Sequence, residues 1–286
     1  KEEFLMRIVN NISAMNTNRV LGATDNAMGK TLEKLSSGLR INRAADDAAG
    51  LAISEKMRAQ IRGMRQAIRN AQDGISFIQT AEGALNETHA ILNSMRELAV
   101  QASNGIYTED DKQKLQEVFT QLYDEIDRIA VTTEFNTKKI LSGSYQDKGV
   151  VFQIGPNANQ MISGTISSMT AAGLGLDETL KLGSGGIGFN STYQTIQSVI
   201  ESLDTAIDTV SAERSKLGAI QNRLEHTIAN LSVTMENLAA SESRIRDADM
   251  AQEMTEFTKN QILMQSATAM LAQANMKPQA VLQLLG

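Results

Sequence analysis

The chain contains no cysteine and no tryptophan, two prolines, two histidines and few aromatic residues among its 286 positions. Each absence closes off chemistry. Without cysteine there are no disulfides, zinc-thiolate sites or thiolate nucleophiles, and the fold is indifferent to the redox state of its compartment. Proline, the residue that breaks helices, is nearly missing, while Ala, Leu, Ile, Met, Gln and Ser are plentiful, a composition suited to long helices. A net charge of -6 argues against a dedicated nucleic-acid binder, whose footprint is a basic surface that displaces phosphate counterions. The longest uncharged run, 149–176, is rich in Gly, Asn, Gln and Ser and too polar for a membrane span. The opening KEEFLMRIVNNISAMN lacks the basic region, apolar block and small-residue cleavage site of a secretory signal. Residues 1–5 correspond to codons that can form a purine-rich ribosome-binding site, so translation is expected to start at Met6, with 1–5 a leader or misassigned start.

What is abundant is hydrophobic periodicity. Steps of seven connect Ile196, Leu203, Val210, Leu217, Leu224, Leu231 and Leu238, with Ile200, Ile207, Ile228 and Met235 interleaved four residues on. That is an unbroken heptad seam. Arg214 and Gln221 occupy interleaved positions; polar residues there either set helix register or are ordinary intrusions. Similar patterns run through Met57, Ile61, Met64, Ile68, Ala71, Ile75, Ile78 and Leu85, and through Leu115, Phe119, Leu122, Ile126 and Ile129. Three long helices sharing one core are expected, and a helix over 196–238 would be about 65 Å long, which points to a rod. Ser103-Asn104-Gly105 followed by Thr108-Glu109-Asp110-Asp111 marks a short connection between helices. From 143 to 190 the helical period fades, and VVFQI and MISGTI around a Gly-Pro-Asn turn read as a β-hairpin. The fold class is therefore mainly α, an elongated antiparallel helical bundle or coiled coil of N- and C-terminal segments with a small β-hairpin region in the middle.

The two ends carry apolar-faced helices with little to cover them: Ile8, Ile12 and Met15 at one, Ile262, Leu263, Met270, Leu271, Val281, Leu282 and Leu285 at the other. Ordering backbone costs about 1–2 kcal/mol per residue, and a large apolar side chain returns about 1.5–3 kcal/mol only when buried. These helices are expected to be mobile in a single copy and ordered, buried on all sides, in an assembly.

Motifs for chemistry are incomplete. The run 183–188, GSGGIG, has the spacing of a dinucleotide loop from Gly183 to Gly188, but charged LDETLKL precedes it where a buried strand is needed. A nucleotide-binding enzyme is the distant alternative it leaves. MGKT at 28–31 lacks the first glycine of a phosphate loop, since that position is Thr24. His89 and His226 have no histidine four residues on, so no metal site is expected. Asp46 and Asp47 are adjacent, which on a helix makes carboxylates diverge, and no pocket-forming aromatic is near. The Asn-x-Ser/Thr triplets at Asn11, Asn86, Asn190 and Asn230 occur at chance density. Arg58, Arg62, Arg65 and Arg69 make a basic stripe without interleaved aromatics, either a solvated face or one that meets acids such as Glu201, Asp204 and Asp208, within the molecule or across a subunit contact. No cofactor is expected.

LEKLSSGLRINRAADDAAGLAISEKMRAQIRG, NAQDGISFIQTAEGAL, ESRIRDADMAQEMTEFTKNQIL and MLAQANMKPQAVLQLLG closely resemble bacterial flagellin over about 7–142 and 193–286. In that family the two chain ends form an inner coiled-coil layer, the adjoining helices a second layer, and the middle carries outer domains. The resemblance implies an inner domain of 6–45 with 241–286, a rod-like helical domain of 46–142 with 191–240, and a short 143–190 region with no large outer domain. It implies a non-enzymatic subunit that polymerises into the flagellar filament, with a hook-filament junction protein as the alternative. Gly38, Arg40, Arg43, Asp46, Asp47 and Gly50, facing Arg244, Arg246, Asp247 and Asp249, become a subunit junction, the two glycines letting the backbone leave helical geometry. Expected partners are further copies of the chain, an export chaperone on the C-terminal helix, the filament cap and hook-junction proteins. The expected route is secretion, unfolded and without a cleaved signal, through the flagellar export apparatus. Many flagellins are also recognised by an innate immune receptor through an Arg, a Leu and a Glu. Here Leu98 matches, but Ser94 and Val118 stand at the other two positions, which argues against recognition by that receptor.

Overall fold

The computed structural model describes residues 11–146, 149–176, 187 and 193–285, with side chains through 276. Residues 1–5, Ile8 and all of 183–188 except Ile187 thus lie outside the described residues, as do the side chains of Val281, Leu282 and Leu285. Five helices carry the chain: α1 (Ile12–Ser37), α2 (Ala48–Ala102), α3 (Glu109–Thr132), α4 (Tyr193–Arg246) and α5 (Met250–Leu285). Between α3 and α4 lie β1 (Glu134–Phe135) with β2 (Lys138–Lys139), and β3 (Val150–Gln153) with β4 (Met161–Gly164). The chain divides into two compact units, Lys1–Ala59 with Glu236–Gly286, and Gln60–Met235.

In the second unit the heptad reading holds, in a different register. On α2 the buried rows are Met64, Ala71, Ile78, Leu85, Leu92 and Ala99, then Ala67, Ala81, Thr88, Met95 and Ala102 three residues on. On α4 they are Ile196, Leu203, Val210, Leu217 and Leu224, with Val199, Ala206 and Glu213 three residues on. The row expected four residues on, Ile200, Ile207 and Ile228, is only partly buried and flanks the seam. The second row on α2 is rich in alanine, which leaves room for the facing helices, and the isoleucines of α4 lie at the margins. Phe119, Tyr123, Ile126 and Ala130 of α3 complete this core.

Helix ends follow local chemistry. Helix α3 opens with a capping box in which Thr108 and Asp111 each accept the other's backbone N–H, worth about 1 kcal/mol. The expected hairpin is present: Val150 pairs with Gly164 and Gln153 with Met161 in antiparallel register. The β1–β2 hairpin was not anticipated; Asn136 and Thr137 turn it at positive φ, 50° and 63°, a geometry natural to Asn but uncommon for Thr.

Polar side chains on α3 and α4 fasten the segment that follows β4. Asp127 accepts the N–H of Ala171 (2.8 Å), and the Tyr123 hydroxyl donates to the carbonyl of Leu176 (3.2 Å). Gln116 accepts the N–H of buried Ile187 (2.8 Å). Glu213, buried in the α4 seam, accepts the N–H of Ser167 (3.2 Å) and pairs with Lys216 (3.1 Å). Irregular backbone with buried surface needs such partners for its N–H and C=O groups.

Candidate assembly surfaces

The first unit contains the joint and the terminal helix pair. Helix α1 ends where Gly38 adopts φ 70°, returning its N–H to the carbonyl of Lys34. An L side chain there would be strained, so the glycine is needed for the C-cap. The chain then makes a single antiparallel bridge between Leu39 and Asp247. Arg40 donates its N–H to the carbonyl of Arg246 (2.7 Å), and Ala248 donates to the carbonyl of Gly38 (2.9 Å). The Arg40 guanidinium closes on the carbonyl of Ile245 through Nε (3.2 Å) and Nη2 (2.6 Å). This charge-assisted contact satisfies a carbonyl that the end of α4 leaves without a helical partner.

Asp46 and Asp47 do not lie within a helix, which corrects the reading of diverging helical carboxylates. Asp46 sits in the turn and accepts the N–H groups of Asn42 (3.2 Å) and Arg43 (3.0 Å). The Arg43 bond, then the Asn42 bond, hold its pKa below the usual 3.8, because both favour the charged carboxylate. Asp47 immediately precedes α2 and accepts the N–H of Gly50 (2.8 Å), capping the helix. Asp249 does the same for α5, accepting from Ala251 (2.9 Å) and Gln252 (3.3 Å). Gly50 is buried inside the first turn of α2 and does not leave helical geometry; a Cβ there would stand 2.4 Å from the Asp47 carboxylate and 2.8 Å from Ile41. Its role is close packing, which corrects the expectation that Gly50 lets the backbone leave helical geometry.

The charged residues of the joint find partners within the chain. Arg43 pairs with Glu33 (2.9 Å), Arg246 with Glu55 (2.8 Å) and Arg58 with Glu242 (2.7 Å), while Arg244 donates to Ser241 (3.0 Å). Glu33, Glu55 and Glu242 were not singled out from sequence.

Beyond the joint, α1 and α5 run antiparallel. The Asn11 side-chain amide donates to the carbonyl of Ala274 (2.8 Å) at one end, and Lys34 pairs with Glu253 (2.8 Å) at the other. Their seam is built from small or polar residues at seven-residue spacing, Thr24 and Thr31 on α1, Asn260, Ala267 and Ala274 on α5. Leu21, Met28 and Leu35 on α1 and Phe257 and Met264 on α5 are half-buried, while other large apolar side chains are exposed: Met15 is 68% exposed, Ile12 and Ile262 61%, Met270 58%, and Leu263 46%. Leu271 is half-buried. The pair therefore leaves a broad apolar surface in water, far more than isolated surface residues.

The remaining positions separate from the joint. Ser94 and Val118 are exposed and Leu98 is half-buried on α2 and α3. Among the described residues no cluster of three or more His, Asp or Glu could hold a metal, and no helix is long and apolar enough to cross a membrane.

Comparison with known proteins places this architecture. A family model described as the bacterial flagellin N-terminal helical region matches residues 8–146, and one for the bacterial flagellin C-terminal helical region matches 200–285. A flagellin of Bacillus subtilis is 53% identical over 98% of this chain and 100% of its own length. A flagellin of Halalkalibacterium halodurans is 55% identical with the same coverage. Among solved structures, a putative flagellar hook-associated protein from Vibrio parahaemolyticus shares the fold at a TM-score of 0.60, with 14% identity over 71% of this chain and 100% of that one. With both terminal helical regions matched, and about half of all positions identical to relatives that it covers from end to end, the chain belongs to the bacterial flagellin family.

Proposed function

We propose that the chain is the repeating structural subunit of a flagellar filament and that α1 and α5 form the core of that polymer. One observation carries this reading: among the described residues only Thr, Asn and Ala are fully buried where the two helices meet, while Ile12, Met15, Ile262 and Met270 stay mostly in water. Each such side chain gains about 1.5–3 kcal/mol when covered, and many copies stacked around a common axis cover them at once. Val281, Leu282 and Leu285 extend the apolar character to the end of α5. The joint, with Gly38, Arg40, Asp46, Asp47 and Arg246, fixes where the core helices leave the remainder of the chain, and is where neighbouring subunits meet.

The flagellin relatives, near half identity over their full length, favour a filament subunit. The hook-associated likeness, at 14% identity, bears on fold alone. In this reading the chain reaches the filament through the flagellar export apparatus. A chaperone covers the apolar face of α5 beforehand, and cap and hook-junction proteins bound the growing polymer. The work is structural, carried by packing. Electron microscopy of the purified full chain after seeding with filament fragments tests it: long helical filaments are expected, short rings would favour the junction protein, and no growth at any concentration would overturn the assignment.

A further inference from the structure

The arginine stripe and the acidic face noted in the sequence are both solvent-facing and do not meet within one copy. Arg62, Arg65 and Arg69 lie on α2 at intervals of three and four residues, on the side away from the buried Met64, Ala67 and Ala71. Like charges at this spacing repel and destabilise a helix unless something offsets them. Among the described residues no ion pair reaches Arg62 or Arg65, and Arg69 donates only to the neutral Gln66. On α4, Glu201, Asp204 and Asp208 repeat the same interval, away from the buried Val199, Leu203, Ala206 and Val210. Asp204 is taken by Arg96 (2.6 Å), while Glu201 and Asp208 make no ion pair among the described residues.

Helices α2 and α4 run antiparallel within this unit, with Arg96 beside Asp204 and Arg214 3.9 Å from Glu82. On that register Asp208 is level with the region of Leu92, and Glu201 with the region of Ala99. Each acid thus stands about thirty residues, or about 45 Å, along α2 from the arginine that matches it. No side chain spans that gap.

We infer that the Arg62–Arg65–Arg69 face of α2 docks on the Glu201–Asp208 face of α4 in a second copy, displaced by about 45 Å along the helix axis. The spacing supports it: Arg62 to Arg69 and Glu201 to Asp208 are both seven-residue steps, about 10.5 Å. Because α2 and α4 are antiparallel, equally oriented copies place Arg62 opposite Asp208 and Arg69 opposite Glu201 simultaneously. Copies of equal orientation related by a displacement along the axis, as the filament reading requires, make the contact heterologous, so it propagates into an open polymer rather than closing a dimer. The inference rests on the filament reading and deepens it by naming a lateral contact.

Seeded polymerisation of the full chain at low and high salt tests it, with critical concentration as readout and circular dichroism as a check that the exposed substitutions leave helices intact. Reversing one face (R62E with R69E) or the other (E201R with D208R) should raise the low-salt critical concentration roughly tenfold, as expected when two exposed pairs become repulsions. The increase should shrink in high salt, where exposed charges are screened. The chain carrying all four reversals should return to within about twofold of the unaltered protein, since opposite signs again face each other. Single-face reversals that polymerise normally, or a fourfold variant no better than either, would overturn the contact while normal filaments from the unaltered chain leave the filament reading standing. Failure of the unaltered chain to polymerise would take down both.

Discussion

At the residue scale, two adjacent aspartates do different work. Asp46 closes a turn and Asp47 starts a helix, and neither resembles a catalytic pair. Because the folded pKa of Asp46 is depressed by two backbone N–H groups, its stabilising contribution is present above the usual carboxylate value. It is lost only as pH falls through the lower folded value. In an NMR titration of the monomer, Asp46 should therefore ionise with a midpoint below 3.8, and the Asn42 and Arg43 amide signals should move with it. A midpoint at or above that value would show that the turn is not held this way. Arg40→Ala removes both guanidinium bonds to Ile245. It should leave helix content unchanged while filaments become sparse or altered in shape, and normal filaments would remove Arg40 from the junction. Sequence alone showed these residues as a charged joint, because glycine and mixed-sign charge interrupt two helical patterns. It did not show that Arg40 would take the carbonyl of Ile245, which lies 205 residues away along the chain, nor that Asp46 and Asp47, read as helical, would turn back onto N–H groups three or four residues from them.

At the scale of elements, the same contrast appears between rows of a helix. Heptad spacing located α4 and its first buried row, from Ile196 to Leu224. It misplaced the second because hydrophobicity favours the isoleucine row over the adjacent row of Val199, Ala206 and Glu213, which is the one that is buried. Glu213 shows the limit most clearly: a buried carboxylate reads as an error in the seam until Ser167 and Lys216 arrive beside it. The anchors Gln116, Tyr123 and Asp127 were equally illegible, since what they hold is irregular backbone with no pattern of its own. The α1–α5 seam gives a direct test of the small-residue argument. Ala267→Leu places a branched side chain where α1 approaches, and overpacking of this kind costs about 1–3 kcal/mol. Hydrogen exchange of the monomer should then show faster exchange across residues 12–37, with the amides of Gln60–Met235 unaffected; unchanged protection in α1 would mean that the seam has room to spare.

For the whole molecule, the exposed apolar surface and the charge faces make separable demands on assembly. The charge contact should weaken with salt; burial of Ile262 and Met270 should not, because apolar association is insensitive to ionic screening and is strengthened by excluded salts such as sulfate. Replacing both with aspartate, I262D with M270D, puts two charges on the helix surface that is 61% and 58% exposed at these positions in the single copy. In the monomer those charges stay in water, so the melting temperature should change little. In a polymer whose core covers α5 they become buried and unpaired, which is strongly destabilising for every subunit added. Polymerisation should therefore cease at low and high salt alike, with thermal unfolding of the soluble chain nearly unaltered. If this variant still grows filaments, α5 does not form the core. If it loses monomer stability instead, these side chains already pack within a single copy, and the apolar surface cannot be what drives copies together.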